Sequence, residues 1–207
     1  MVHSYPARDQ QATLDAGNTL DQGRDLISAC QRGDRDAYQE LFESYKDRAY
    51  SIALRFSGDP ATAMDITQET FLKLLSRIGD FRGESRFDTF LYRMVANSCL
   101  DHQRRRARWV PFLESMLDVL TAPRETALDR LLDAEFAGEV QASIAKLPPD
   151  QRMVVVLRYT EALSYDEIAE ILGCSQGTVA SRLNRAHKHL ERRLVHLKTN
   201  RHLKRNV

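Results

Sequence analysis

Two stretches of this chain carry side chains suited to nucleic-acid chemistry. Residues 81–108 read FRGESRFDTFLYRMVANSCLDHQRRRAR: Phe81, Phe87, Phe90 and Tyr92 lie in and just after a Gly-containing loop, and Arg104, Arg105, Arg106 and Arg108 form a basic cluster at the end. Aromatic faces beside guanidinium groups stack on unpaired bases and hold a phosphate backbone. Alone, the stretch reads equally well as core rings followed by a solvated helix end, and Phe90 fits a core position best. The second stretch, SYDEIAEILGCSQGTVASRLNRAHKHL over residues 164–190, leaves Gln176, Thr178, Ala180, Ser181, Arg182, Asn184, Arg185 and Lys188 on the outer face of its second half. Those are base-edge and phosphate chemistries on a helix sized for the major groove. A helical hairpin with no DNA role would not need so basic an outer face. No serine, tyrosine or carboxylate set is arranged for phosphoryl transfer, and neither His187 nor His189 has a neighbour in sequence that would make it a catalytic base.

Helices must position both stretches, because apolar residues recur at helical spacing nearly throughout and no segment alternates as a strand does. The fold class expected is all-α. From Asp34 to Phe56, Tyr38, Leu41, Phe42, Tyr45, Ala49, Ile52, Ala53 and Phe56 form one face of a long helix, which Gly58 ends. Asp59 then caps a helix that starts at Pro60 and reaches Ile78, with Ala63, Ile66, Thr67, Thr70, Phe71, Leu74 and Ile78 inward. Its opposite face holds Asp65, Gln68, Glu69, Leu72 and Ser76. Leu72 there reads either as a lone exposed leucine or as the apolar centre of a protein-binding face with a charged rim. Gly79 to Ser85 is a loop. Ser85 with Asp88 approximates a capping box for the next helix, where Phe87, Phe90, Leu91, Met94 and Val95 make the buried stripe and Arg93, Asn97, Asp101 and Arg104 share a polar strip. Residues 109–132 form a connector, with a short amphipathic helix from Trp109 to Leu120 broken by Pro123. A helix from Asp133 to Lys146 and another starting at Pro149 lead into the second stretch. There Ser164 and Glu167 form a capping box, Gly173 supplies a left-handed turn, and Ser175 caps the helix seated by Val179, Leu183, Ala186 and Leu190. This is a helix-turn-helix pattern.

The net charge of +1 over 207 residues conceals a partition. From Ser175 onward Arg182, Arg185, Lys188, Arg192, Arg193, Lys198, Arg201, Lys204 and Arg205 face only Glu191, whereas residues 114–139 are mainly acidic. Two separated basic regions imply an anionic partner. The first 23 residues are polar, lack an apolar signal core and read as a disordered arm; the cytoplasm is the compartment expected. Cys30, Cys99 and Cys174 form no CxxC pair and fit reduced thiols, and their spacing to the C-terminal histidines is wrong for zinc, so no metal and no cofactor is expected.

LPPDQRMVVVLRYTEALSYDEIAEILGCSQGTVASRLNRAHKHL resembles region 4, and DITQETFLKLLSRIGDFRGESRFDTFLYRMVANSCLDHQRRRAR resembles region 2, of bacterial sigma factors of the extracytoplasmic-function type within the sigma-70 family. The match spans roughly residues 24–108 and 133–195, leaving an arm (1–23), a linker (109–132) and a basic tail (196–207). The resemblance implies a dissociable, non-catalytic subunit that binds core RNA polymerase at the largest-subunit clamp and at the flap, and directs promoter recognition and melting. It implies further that Asp65, Gln68, Glu69, Leu72 and Ser76 meet the clamp. The loop of Phe81, Arg82, Gly83 and Ser85, with Phe87, would capture a flipped minus-10 base. Arg93, Asn97, Asp101, Arg104, Arg105 and Arg108 would lie along the same element. In the minus-35 major groove, Ser181, Arg185 and Asn184 would face bases, and Arg182 and Lys188 phosphates, among the outward residues from Gln176 to Lys188. An anti-sigma factor is an expected partner; a small-molecule substrate is not. The acidic linker suits a path through the RNA exit channel. Two departures stand out: Ala180 lies where many relatives carry Arg, and Met64 replaces a common acid. The rival readings are an ordinary DNA-binding regulator with a ligand-sensing N-terminal half, which would bind promoter duplex without polymerase, and a DNA recombinase, for which no catalytic set exists.

Overall fold

The structure, a computed structural model, describes residues 24–114 and 131–204, with side chains placed for 24–108 and 138–195. The N-terminal arm, the linker from 115 to 130 with Pro123, and the side chains of the basic tail lie outside the described residues. Within them the chain is helical, without a strand: α1 (residues 24–31), α2 (Arg35–Ser57), α3 (Pro60–Arg77), a single 3₁₀ turn (Ile78–Asp80), α4 (Phe87–Glu114), α5 (Leu131–Ala145), α6 (Pro149–Thr160), α7 (Tyr165–Leu172) and α8 (Gln176–Lys204).

Local chemistry sets most of these boundaries. The Asp34 carboxylate accepts from the Asp36 and Ala37 amides at the start of α2, and Gly58 ends it in the left-handed region at φ 74°. Asp59 accepts from the Thr62 amide, and Pro60 opens α3 without forfeiting a hydrogen bond. Ser164 and Glu167 close a reciprocal capping box on α7, and Gly173 at φ 60° makes the turn into α8, where Ser175 Oγ accepts from the Thr178 amide at 3.2 Å. Replacing Ser164 by Ala is expected to cost about 1 kcal/mol of stability, read as a lower urea midpoint with an unchanged slope.

Two boundaries differ from the sequence expectation. α4 begins at Phe87, so Ser85 is not its cap; the Ser85 hydroxyl lies 3.5 Å from the Arg86 carbonyl, and Arg86 pairs with Asp88 at 3.3 Å. At its other end α4 runs without a break to Glu114, six residues into the expected connector.

α2 and α3 fold back on each other as a hairpin, and α4 packs against both. Leu41, Ile52, Phe56, Ile66, Leu74, Leu91 and Val95 are fully buried between them. α6, α7 and α8 form a second cluster around Met153, Leu157, Ile168, Val179 and Leu183. The clusters join: α6 packs on α2 and α4, and α7 on α4. The join is polar at its centre. The last carbonyls of α2, which no helical amide can reach, are capped from α5 and α6: Gln141 Nε2 donates to the Arg55 oxygen at 2.7 Å and Arg152 Nη1 to the Phe56 oxygen at 3.0 Å. Arg152 Nη2 also donates to the carbonyls of Leu147, at 3.0 Å, and Ala145. Farther along, Tyr92 of α4 donates to Glu161 Oε2 at 2.9 Å, and burial with that carboxylate pushes the phenol pKa upward.

Candidate nucleic-acid and polymerase interfaces

The loop after α3 is anchored from α1. Gln31 Nε2 donates to the carbonyls of Ile78 and Phe81 at 2.9 and 2.8 Å, which fixes Phe81 at the lip of a cleft. That cleft, about 420 Å³, is lined by Gly79, Asp80, Phe81, Arg82, Glu84, Ser85, Phe90 and Arg93. Gly83 takes φ 73°, which lets the loop curl back over it. Phe81 packs edge-on against Phe87 at 5.5 Å and tilted against Phe90 at 5.3 Å. Half-buried rings beside Arg82 and Arg93 can accept a planar base by stacking with cationic support.

Phe81 lies at the cleft as expected, but the structure divides the other two rings differently. Phe87 is only 8% exposed, covered by Tyr45 and Phe81, whereas Phe90 is half-buried and lines the cleft. The two stand three residues apart on one helical face, so periodicity could not tell which one the loop would cover.

Along α4, Arg93 and Asn97 are exposed and share a face with Asp101 and Arg104, as the spacing requires. Their partners are less expected. Arg93 Nη2 donates at 3.0 Å to the Glu170 carbonyl near the end of α7, and Arg104 pairs with Asp101 at 3.0 Å. Arg108 is exposed. Arg105 lies across the groove between α4 and α3 as a two-pronged donor to Glu69, at 3.3 and 2.6 Å. This fork, helped by Lys73 and opposed by burial, holds the Glu69 carboxyl below its ordinary pKa.

On α3, Asp65, Gln68, Leu72 and Ser76 are exposed, and Leu72 is 69% so. It does not stand alone, because Met64 and Leu75 are 56% and 54% exposed on the same side. Leu75 was missed from sequence; its spacing of three from Leu72 and eleven from Met64 was the available signal. Glu69 is half-buried at the rim facing α4.

On α8 the outward set separates into two classes. Gln176, Asn184, Arg185 and Lys188 are exposed; Thr178, Ala180, Ser181 and Arg182 are half-buried. Arg185 lies along its own helix, with Nε 3.3 Å from the Ser181 carbonyl and Nη2 3.2 Å from the Ser181 hydroxyl, so its guanidinium is pre-oriented. Arg182 pairs with Asp150 at 2.9 Å. A second cleft of about 490 Å³ brings Arg104 of α4 together with Thr178, Arg182 and Arg185 of α8 over Pro148 and Pro149. The basic faces of both clusters thus meet one space. Also unanticipated are Tyr159, whose hydroxyl lies 2.8 Å from His187 Nε2, and the stacking of Arg158 over Tyr165 at 5.6 Å. Among the described residues no group of His, Cys, Asp or Glu could hold a metal ion, and all three cysteines are free thiols. No helix among them is long and apolar enough to cross a membrane.

A three-helix scaffold with an aromatic cleft, followed on one chain by a helix-turn-helix cluster, defines the two-region promoter-binding architecture. Sequence comparison agrees: the models for sigma-70 region 2 and sigma-70 region 4 match residues 41–109 and 137–190. The chain is 34% identical to the RNA polymerase sigma-H factor of Pseudomonas aeruginosa over 186 residues, covering 85% of this chain and 95% of that one. It is 32% identical to the ECF RNA polymerase sigma factor SigW of Bacillus subtilis, covering 81% and 94%. Among solved structures, the sigma factor RpoE in complex with the anti-sigma factor NepR from Bartonella quintana superposes with a TM-score of 0.59 at 22% identity, covering 76% of this chain and 96% of that one. CnrH in complex with the cytosolic domain of CnrY gives the same score at 23% identity, covering 83% and 96%. These two establish the fold. The chain belongs to the extracytoplasmic-function sigma factors of the sigma-70 family, and its function is promoter-specific initiation of transcription.

Proposed function

We propose that the chain is a cytoplasmic, dissociable subunit without a catalytic site of its own, which docks on the clamp of core RNA polymerase through α3 and on the flap through α6 to α8. The observation that carries this reading is the exposed apolar row of Met64, Leu72 and Leu75 next to Asp65, Gln68 and Ser76 on a helix that packs against the DNA-facing α4. An apolar centre with a polar rim is interface anatomy. The cleft of Phe81 and Phe90 takes a flipped minus-10 base, with Arg82, Gly83 and Ser85 at its edge and Phe87 as the buried support beneath. Arg93, Asn97, Asp101, Arg104 and Arg108 follow the duplex upstream. On α8, Ser181, Asn184 and Arg185 read minus-35 bases while Gln176, Thr178, Arg182 and Lys188 position the backbone, and Ala180 offers only a methyl. Arg93 of α4 must leave the Glu170 carbonyl of α7 to do this, which loosens one contact between the two clusters, and Arg182 must leave Asp150 within the second cluster.

The RpoE structure holds the anti-sigma factor NepR, and the CnrH structure the cytosolic domain of CnrY. By the same chemistry, an anti-sigma factor covering Leu72 would keep this chain from the polymerase. Run-off transcription with core polymerase over a promoter library tests the whole reading: initiation at promoters sharing spaced minus-35 and minus-10 elements supports it. Tight promoter-duplex binding without polymerase, and no initiation with it, would favour a stand-alone regulator. Within that assay, Arg185→Ala is expected to weaken minus-35-dependent initiation by about 1–3 kcal/mol. Equal loss on a promoter lacking the element would argue against base contact.

A further inference from the structure

Glu69 sits where the polymerase face of α3 meets the basic end of α4, and its carboxylate is already committed. Oε2 accepts from Arg105 Nη2 at 2.6 Å, while Oε1 accepts from Arg105 Nη1 at 3.3 Å and pairs with Lys73 at 2.8 Å. Lys73 is held in turn by the Ser98 hydroxyl at 3.2 Å. The resemblance places Glu69 among the clamp-binding residues, yet its side chain is half-buried and turned toward α4 while Leu72, Gln68 and Asp65 face outward. A planar fork bound by both prongs is oriented, not merely neutralised. We propose that Glu69 is a positioning residue for DNA discrimination: it holds Arg105 against α3 and so withholds one cation from the surface that α4 offers to nonspecific DNA.

The inference rests on α4 being the DNA-facing helix, as in the function proposed above. Neutralising Glu69 raises the local charge by one, and the cation it releases is Arg105, because Lys73 stays tethered to the Ser98 hydroxyl. An uncompensated cation beside a polyanion releases counterions on binding, which steepens the salt dependence of affinity for any sequence. The pair is exposed enough to exchange for phosphate when a promoter places one within reach.

The test uses holoenzyme reconstituted with the full chain and a labelled duplex lacking promoter elements, its affinity measured by anisotropy across a salt series. Glu69→Gln is expected to steepen the slope of log affinity against log salt by about 0.9, the contribution of one further phosphate. It should also lower the ratio of promoter to nonspecific affinity several-fold. In an Arg105→Ala background the same Glu69 substitution should change neither quantity. Affinity for core polymerase, measured separately, should stay within twofold, and the melting temperature of the free chain should not move enough to explain the change. An unchanged slope overturns the proposal. So does a steeper slope that persists without Arg105, which would assign the cation to Lys73, or a tenfold loss of core affinity, which would make Glu69 a direct clamp contact. Failure of the parent reading looks different: wild-type holoenzyme would then show no promoter preference at all.

Discussion

Leu72→Glu is expected to abolish association with core polymerase while leaving the fold intact. Position 72 lies on the outer side of α3, where 69% exposure means the native side chain contributes little to the core. Surface changes away from caps and cores usually stay within about 0.5 kcal/mol, and Glu is a good helix former. At the interface the arithmetic is different. Leu72 is the centre of a row whose neighbours Met64 and Leu75 are also exposed, and apolar centres of this kind supply hot spots of about 2 kcal/mol or more. The substitution removes that contribution and also forces a carboxylate into the partner's apolar pocket, at a further cost of several kcal/mol. The sum exceeds about 4 kcal/mol, or roughly a thousandfold in affinity. Fluorescence competition for core enzyme would detect it, with circular dichroism and a thermal melt confirming the fold. Unchanged affinity would remove α3 from the polymerase interface. Leu75→Glu provides an independent check, because sequence periodicity alone did not single out that residue, and its effect should be smaller only if it lies nearer the rim.

The elements legible in the sequence were those whose determinants are local. Asp59, Ser164 and Ser175 each cap the helix that follows them, and Gly58 and Gly173 take the left-handed conformation at the helix ends they mark. The inward stripes of α2 and α3 are buried or half-buried as their spacing required. What could not be read depends on partners far away in the chain. Phe87 and Phe90 share a stripe, and the choice between them is made by Tyr45 and Phe81, which arrive from α2 and from a loop. The outer face of α8 was recognisable as basic, but the pairing of Arg182 with Asp150 depends on where α6 lies. Arg93 finds its acceptor 77 positions away. Helical periodicity reports which face is inward, never what the outward groups will meet. Arg152 shows the limit most sharply: an arginine in the first turn of a helix reads as solvent-facing, and here it is almost fully buried.

That burial makes Arg152→Met the second large effect, with an expected loss of about 3 kcal/mol in global stability. Methionine keeps the apolar stem and its contacts, including much of the packing against Phe56, over whose ring the guanidinium carbon lies at 5.0 Å. What disappears is the one side chain among the described residues that donates to the Phe56, Leu147 and Ala145 carbonyls. Two opposing terms decide the sign. Burial has already driven the Arg152 pKa below its ordinary value, so removing the charge recovers a real desolvation cost. Against that, each buried acceptor left without a donor costs about 1–3 kcal/mol; the Phe56 and Leu147 carbonyl bonds are buried and the Ala145 one partly so. Two of these carbonyls also stand at helix C-termini, those of α2 and α5, where the macrodipole makes a cation favourable. Had the partner been a single carboxylate, an apolar double replacement could have restored the balance; backbone carbonyls cannot be mutated away. The acceptors therefore win, and the variant is destabilised. Urea unfolding should show a lower midpoint at constant slope. Arg152→Lys should recover only part of the loss, because an ammonium cannot span acceptors on two helix ends as a planar fork does. A Met variant within about 0.5 kcal/mol of wild type would mean that water replaces the guanidinium at this joint. It would also mean that α2 and α6 are held together by apolar contact alone.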